Sequence, residues 1–170
     1  AFWPEDFLPY DIPEARVLTF GYNSNAAFGN TTADIIDHAK DLLGSLIDKR
    51  EEENETRRQI IFIAHSLGGI IIKALFLARI EPQYTSICES TIRIVFFGIP
   101  HRGSDKAAYG IASTVMHKPT SKLLSALQSN SDVLARLTSD FRHQLPNYQI
   151  ITFYETKQLG VFKKEIYLDR

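Results

Sequence analysis

Apolar residues recur along the chain with two different periods. From Thr31 to Arg50, Ile35, Ile36, Ala39, Leu42, Leu43, Leu46 and Ile47 return at helical spacing along one face. Thr31 or Thr32 can cap this helix, Asp34 lies in its first turn, and Lys49 and Arg50 sit in the last turn, where the helix dipole favours cations. Elsewhere, short apolar runs rich in β-branched and aromatic residues predict strands at 16–22, 60–64, 91–97 and 148–154. The run Ile60-Ile61-Phe62-Ile63-Ala64 is apolar throughout, the pattern of a strand buried on both faces. An apolar helix is predicted from Leu67 to Ile80, ended by Glu81-Pro82. Further helical patterns cover 122–128 and a stretch that opens at Ser131 or Asp132 and carries Val133, Leu134, Leu137, Phe141 and Leu145. Residues 1–15, with Pro4, Pro9 and Pro13 among Phe2, Trp3, Phe7 and Tyr10, read as an extended, docked loop. The charged stretch 51–58 reads as a solvated connector, and 165–168 as a weak strand.

Strands alternating with helices predict an α/β fold, a parallel sheet with helices on both faces. Chemistry in such sheets sits at the carboxyl ends of the strands. Ser66, His101 and Glu155 each follow a predicted strand, so the topology brings all three to one rim. Between the strand 60–64 and the helix from Leu67, His65-Ser66 must form a tight turn, and Ala64-His65-Ser66-Leu67-Gly68 surrounds the serine with small residues. A serine and two glycines in an ordinary strand-to-helix turn would read the same way. The functional reading makes Ser66 a nucleophile, presented on a strained elbow of the kind seen in α/β-hydrolases.

Composition narrows the field. The 170 residues, 44% hydrophobic and 23% charged, suit one globular domain. A net charge of −1 offers no electrostatic case for nucleic acid. A single cysteine, Cys88, excludes an internal disulfide and favours a reducing, intracellular compartment. No run approaches a membrane span, and the start, Ala1-Phe2-Trp3-Pro4, lacks the basic opening and apolar centre of a signal peptide. It also lacks an initiator Met, which suggests a partial gene product. No Cys/His spacing suggests a metal, and no cofactor is expected.

Several motifs in fixed order carry a resemblance. Trp3-Pro4-Glu5-Asp6-Phe7-Leu8-Pro9 is followed by Arg16-Val17-Leu18-Thr19-Phe20-Gly21-Tyr22 and by Ala64-His65-Ser66-Leu67-Gly68-Gly69 with Lys73. Phe96-Phe97-Gly98-Ile99-Pro100-His101-Arg102-Gly103-Ser104 and Phe153-Tyr154-Glu155-Thr156 complete the series. Together they resemble the α/β-hydrolase domain of the serine-active-site-containing, lipase-like (DUF676-type) family, found in fungi at the head of NACHT, ankyrin or tetratricopeptide proteins. Two positions depart from that pattern: Ala64 replaces the usual glycine, and Ile99 the usual small polar residue. The resemblance covers nearly the whole chain. It implies one partial hydrolase domain over 1–170, cut at both ends, with a cap- or lid-like segment at 104–145. A strand ending in His-Gly, whose loop gives one oxyanion donor, should precede Ala1 and lie between strands 16–22 and 60–64. The base histidine should follow Arg170.

Acyl transfer needs a nucleophile, a base, an acid that orients the base, and donors for the oxyanion. Ser66 is assigned as nucleophile, and the Leu67 backbone N–H, at the start of a helix, as one donor. Glu155 fits the orienting acid, with Asp169 as the competitor. Among the histidines, His38 is expected to be exposed on its helix and His65 to pack. His117 and His143 fall in the cap-like region, and His101 is the in-chain alternative for the base, though the family order favours a structural role for it. The implied function is a lipase- or esterase-type serine hydrolase acting on an ester, thioester or acyl lipid, with this chain alone inactive for want of its base. The alternative is a non-catalytic hydrolase-like signalling module of a larger protein, with NACHT or repeat domains as neighbours. The resemblance also implies a cytoplasmic setting with mitochondrial or endoplasmic-reticulum membrane association.

Overall fold

Three apolar runs become three parallel strands: β1 (Ile60–His65), β2 (Thr91–Phe97) and β3 (Gln149–Phe153), hydrogen-bonded in the order β1-β2-β3. The structure is a computed structural model and describes residues 3–22, 32–65, 68–77, 81–98 and 131–153. The patterns at 122–128 and 165–168 lie outside the described residues. Short helices α1 (Trp3–Asp6) and α2 (Leu8–Asp11) are followed by α3 (Thr32–Glu52), α4 (Gly68–Leu77), α5 (Thr85–Ser90) and α6 (Ser131–Arg142). Parallel strands need crossovers, and the chain from α4 through α5 supplies the one between β1 and β2.

The helical stripe of α3 is real: Ile35, Ala39 and Leu43 are completely buried and pack against α4. Helix α4 is buried on every side from Gly69 to Phe76, as expected of a helix apolar all round. Phe76 is the hub. Its ring meets Phe62 of β1 edge-on at 6.5 Å, Phe141 of α6 at 5.7 Å and Tyr148 before β3 at 4.5 Å. Phe96 of β2 meets Phe141 at 5.9 Å, so α4 and α6 cover one face of the sheet. The second half of the 104–145 segment therefore contributes Leu137 and Phe141 to the core.

Alternation in the strands differs from the prediction for 60–64. Phe62 and Ala64 are buried, whereas Ile61 and Ile63 are 48% and 47% exposed. The register sets three rows on this second face: Ile61–Arg93–Gln149, Ile63–Val95–Ile151 and His65–Phe97–Phe153. Among the described residues the helices cover one face only, so a continuous apolar run here marks a sheet whose second face is apolar and open. The row at the amino end carries a polar pair, with Arg93 donating to Gln149 Oε1 at 3.1 and 2.5 Å. At the carboxyl end Phe97 and Phe153 stack at 4.7 Å, 7° from parallel.

Two expected elements differ from the reading of their sequence. Residues 16–22 form no strand, and no ladder joins them to β1. Their β-forming composition is a local preference, and a strand also needs a partner. Val17 and Leu18 are exposed instead, while Arg16 pairs with Glu53 at 2.5 Å and Glu55 at 3.0 Å. Residues 1–15 are not a docked loop either: α1 and α2 are helical turns that hold Pro4 and Pro9 near their starts, where a missing N–H is harmless. Trp3, Phe7 and Tyr10 are exposed. The connector at 51–58 is more than a solvated loop, because Arg58 also pairs with Glu55 and donates to the Glu14 carbonyl. Arg50, in the last turn of α3, is 5% exposed. It donates to the Thr56 carbonyl at 2.5 Å and to Ser90 Oγ at 3.1 Å, tying the end of α3 to the end of α5.

Candidate active site

Strand β1 ends at His65 and the buried helix α4 begins at Gly68, with two residues of sequence between them. Those two are Ser66 and Leu67, which lie outside the described residues, as do His101, Glu155, Asp169 and His117. What is described is the frame that leads to them. The last paired residues of the three strands, His65, Phe97 and Phe153, form one row across the carboxyl rim. Neighbouring strands lie about 4.8 Å apart, so the strand ends leading to Ser66 and to Glu155 are about 10 Å apart.

Beyond β2 the chain turns at Gly98, whose φ of +56° is a left-handed conformation that side chains with a Cβ rarely adopt. Its N–H donates to the Phe153 carbonyl at 2.9 Å and extends the ladder one residue past Phe97. The glycine thus closes the rim between β2 and β3, directly before Ile99-Pro100-His101 in the sequence.

The start of α4 is the electrostatic feature of the site. Its first-turn N–H groups have no intrahelical acceptors, and the helix behind them is buried, so their positive partial charge faces the turn with little screening. Close packing does not account for the glycine at 68 among the described residues. A Cβ built there would meet one atom, the Tyr22 hydroxyl, at 3.9 Å, an ordinary contact. Tyr22 is half-buried against the core, with its ring 6.4 Å from Phe20 and 6.0 Å from His38. Burial raises its phenol pKa, so the hydroxyl stays protonated at neutral pH. Sequence reading made Tyr22 the end of a strand and missed this position, since nothing local signals contact with Gly68.

The described histidines stand as follows. His38 is half-buried beneath Tyr22 and 3.9 Å from Asp41, rather than exposed. His65 is exposed on the open sheet face, rather than packed. His143 is exposed just after α6. Deeper in α4, Lys73 is 2% exposed, and its Nζ donates to Thr138 Oγ1 of α6 at 3.2 Å. Desolvation lowers its pKa to about 8. Among the described residues no three His, Cys, Asp or Glu side chains cluster to hold a metal, and no helix is long and apolar enough to cross a membrane.

A three-stranded parallel sheet backed by helices makes this an α/β-hydrolase-like fold. Residues 10–103, over half of the chain, match the family described as "Putative serine esterase (DUF676)", and the chain belongs to that family. The match includes Tyr22, Ser66, Lys73 and His101 and stops before Glu155 and Asp169. The chain is also similar to "Protein SERAC1" of Danio rerio and of Homo sapiens, 26% identical to each over 160 residues that cover 91% of the chain. It spans about a quarter of the length of these curated relatives, 24% in each case. No solved structure matches it.

Proposed function

We propose that the protein is a lipase- or esterase-type serine hydrolase that cleaves an ester, thioester or acyl-lipid bond. One observation carries the reading: in a chain of the serine esterase family, a serine lies in the two residues of sequence between the carboxyl end of β1 and the first turn of the buried helix α4. Ser66 Oγ attacks the acyl carbon while a base accepts its proton, and the carbonyl oxygen becomes an oxyanion. The Leu67 N–H, with the dipole of α4 behind it, stabilises that charge. The tetrahedral adduct then expels the alcohol or thiol, which takes the proton from the base. Water, activated by the same base, releases the acid and restores Ser66.

Glu155, directly after β3, orients the base in this scheme, with Asp169 as its competitor. The family order sets the base after the acid, so we assign it to a histidine outside these 170 residues rather than to His101. Removing the base of such a triad costs on the order of 10⁶ in kcat. The chain by itself is therefore predicted to show no measurable ester turnover. Assaying the isolated 170 residues on p-nitrophenyl esters checks this; robust turnover that disappears in His101→Ala would move the base to His101. In the intact gene product, a fluorophosphonate should label Ser66, and Ser66→Ala should abolish both labelling and hydrolysis. Absence of labelling in an intact, folded protein would favour a hydrolase-like module that has no catalysis of its own.

A further inference from the structure

We propose that α6 is a pH-sensitive strap: it undocks from α4 as a unit, hinged at the turn before β3, and the Lys73–Thr138 contact is the latch that sets how often. The device goes beyond the hydrolase reading above and does not depend on it. Two kinds of contact hold α6 down. Leu137 and Phe141 are buried, and the Phe141 ring lies 5.7 Å from Phe76 of α4 and 5.9 Å from Phe96 of β2. Between them in the sequence, Thr138 Oγ1 accepts a hydrogen bond from Lys73 Nζ at 3.2 Å. The other side of the helix is wet, with Arg136, Ser139 and Arg142 exposed. A single exposed 3₁₀ turn, Leu145–Asn147, links α6 to Tyr148, which the Phe76 ring holds at 4.5 Å. Movement about that turn therefore frees the helix and leaves the ladder of β1, β2 and β3 intact.

The latch holds a charge that water would hold better. An ammonium carries three N–H donors, and Lys73, 2% exposed, finds one acceptor among the described residues, a neutral hydroxyl. The ionisable groups on the elements packed against α4 do not pair with it. On α6, Asp140 is half-buried and Arg136 exposed; on α3, His38 lies beneath Tyr22, Lys40 pairs with Glu81 at 2.6 Å and Arg50 is bonded to Thr56 and Ser90; on β1, His65 is exposed on the open face. Desolvation alone therefore sets the amine's pKa, about 8 with α6 docked. Undocking returns the amine to water and its pKa towards 10.5. The open form binds the proton more tightly, so the docked form gains as pH rises from about 8 to about 10.5, and the full penalty on docking stands below 8. With those two pKa values the opening constant falls about tenfold between pH 7 and pH 9. Each opening uncovers Leu137, Phe141 and the Phe76 ring, so acid favours a form with more exposed apolar surface.

The test is amide hydrogen exchange of the intact protein at pH 7 and pH 9, read by mass spectrometry and divided by the intrinsic exchange rates. Amides of α6 should be less protected than those of α4 and β2, which marks a local opening rather than global unfolding. Their protection should rise about tenfold from pH 7 to pH 9. Lys73→Met keeps a chain of similar length without the charge; it should raise α6 protection at pH 7 and remove the pH dependence. Thr138→Val takes away the one acceptor and should lower α6 protection at pH 7 by about tenfold or more, the usual effect of losing a hydrogen bond to a charged group. In the Lys73→Met background the same change should do nothing, which separates the latch from any general effect on the helix. Protection in α6 equal to that in α4 would overturn the strap, since the helix would then open only with the whole fold. An α6 pH dependence that is absent in the wild type, or that persists in Lys73→Met, would overturn the latch. Should Lys73→Met fail to fold, the wild-type profile and Thr138→Val decide alone: a flat profile, or Thr138→Val protection within about threefold of wild type, sinks the proposal.

Discussion

Lys73 places an ammonium in the most apolar layer of the molecule, with one hydroxyl as its acceptor among the described residues. In the folded state its pKa is about 8, against 10.5 for an unperturbed lysine. Between those values the unfolded chain holds the proton more tightly, so stability must rise with pH from about 8 to about 10.5. Below pH 8 lysine is charged in both states, and the whole penalty, about 3 kcal/mol, is present and constant. Lys73→Met should therefore stabilise the protein at pH 7 by about 1–2 kcal/mol, after loss of the Thr138 hydrogen bond, and should flatten the alkaline rise. Denaturant melts at pH 7 and pH 10 measure both effects. A destabilised Lys73→Met with an unchanged pH profile would show that the amine has a stabilising partner. The burial of Lys73 was not legible in the sequence, where a lysine in an apolar helix looks like the start of a wet face. The position of Tyr22 near the start of α4 was equally hidden, because it brings together residues far apart in the chain. The frame on either side of Ser66 could be read because its signal is local: an apolar strand ending at His65 and an apolar helix opening at Gly68.

At the scale of elements, the ring cluster around Phe76 joins β1, α4, α6 and the approach to β3. Phe76→Ala and Phe141→Ala should each cost about 3–5 kcal/mol, since each removes a buried aromatic that meets several rings. Equilibrium unfolding tests this, and a loss under about 1 kcal/mol in either variant would mean that α6 is not docked on α4. The helix stripe of α3 and the three strands were legible because each buries its own periodic pattern. The misread elements fail for one physical reason: pairing and docking are non-local. Residues 16–22 have strand composition but no ladder, and the prolines of α1 and α2 break an interior helix yet suit a first turn. Which face of β1 would be covered was likewise unreadable, because an unbroken apolar run does not distinguish a sandwiched strand from one with an open apolar face.

For the whole molecule, that open face and the rim beside it set the behaviour in solution and in catalysis. Ile61, Ile63, Phe97 and Phe153 are exposed on one side of the sheet, and no strand pairs with the outer edge of β1 among the described residues. Apolar faces and free strand edges of this kind associate, so the 170-residue chain in isolation should bind the dye ANS and sediment as oligomers at micromolar concentration. An Ile61→Lys, Ile63→Lys double variant should reduce both signals; a monomeric, dye-silent wild type would mean the face is covered. The polarity of the sheet also gives the molecule a direction, with paired Arg93 and Gln149 at one end and stacked aromatics at the rim leading to Ser66. The serine nucleophile proposed for this rim is the point on which the rest depends. Its most direct test is fluorophosphonate labelling of the intact protein, read by mass spectrometry of the adducted peptide. The account predicts one adduct, on Ser66, lost in Ser66→Ala and accompanied by loss of ester hydrolysis. Hydrolysis that persists in Ser66→Ala, or an adduct on any other serine, would contradict it.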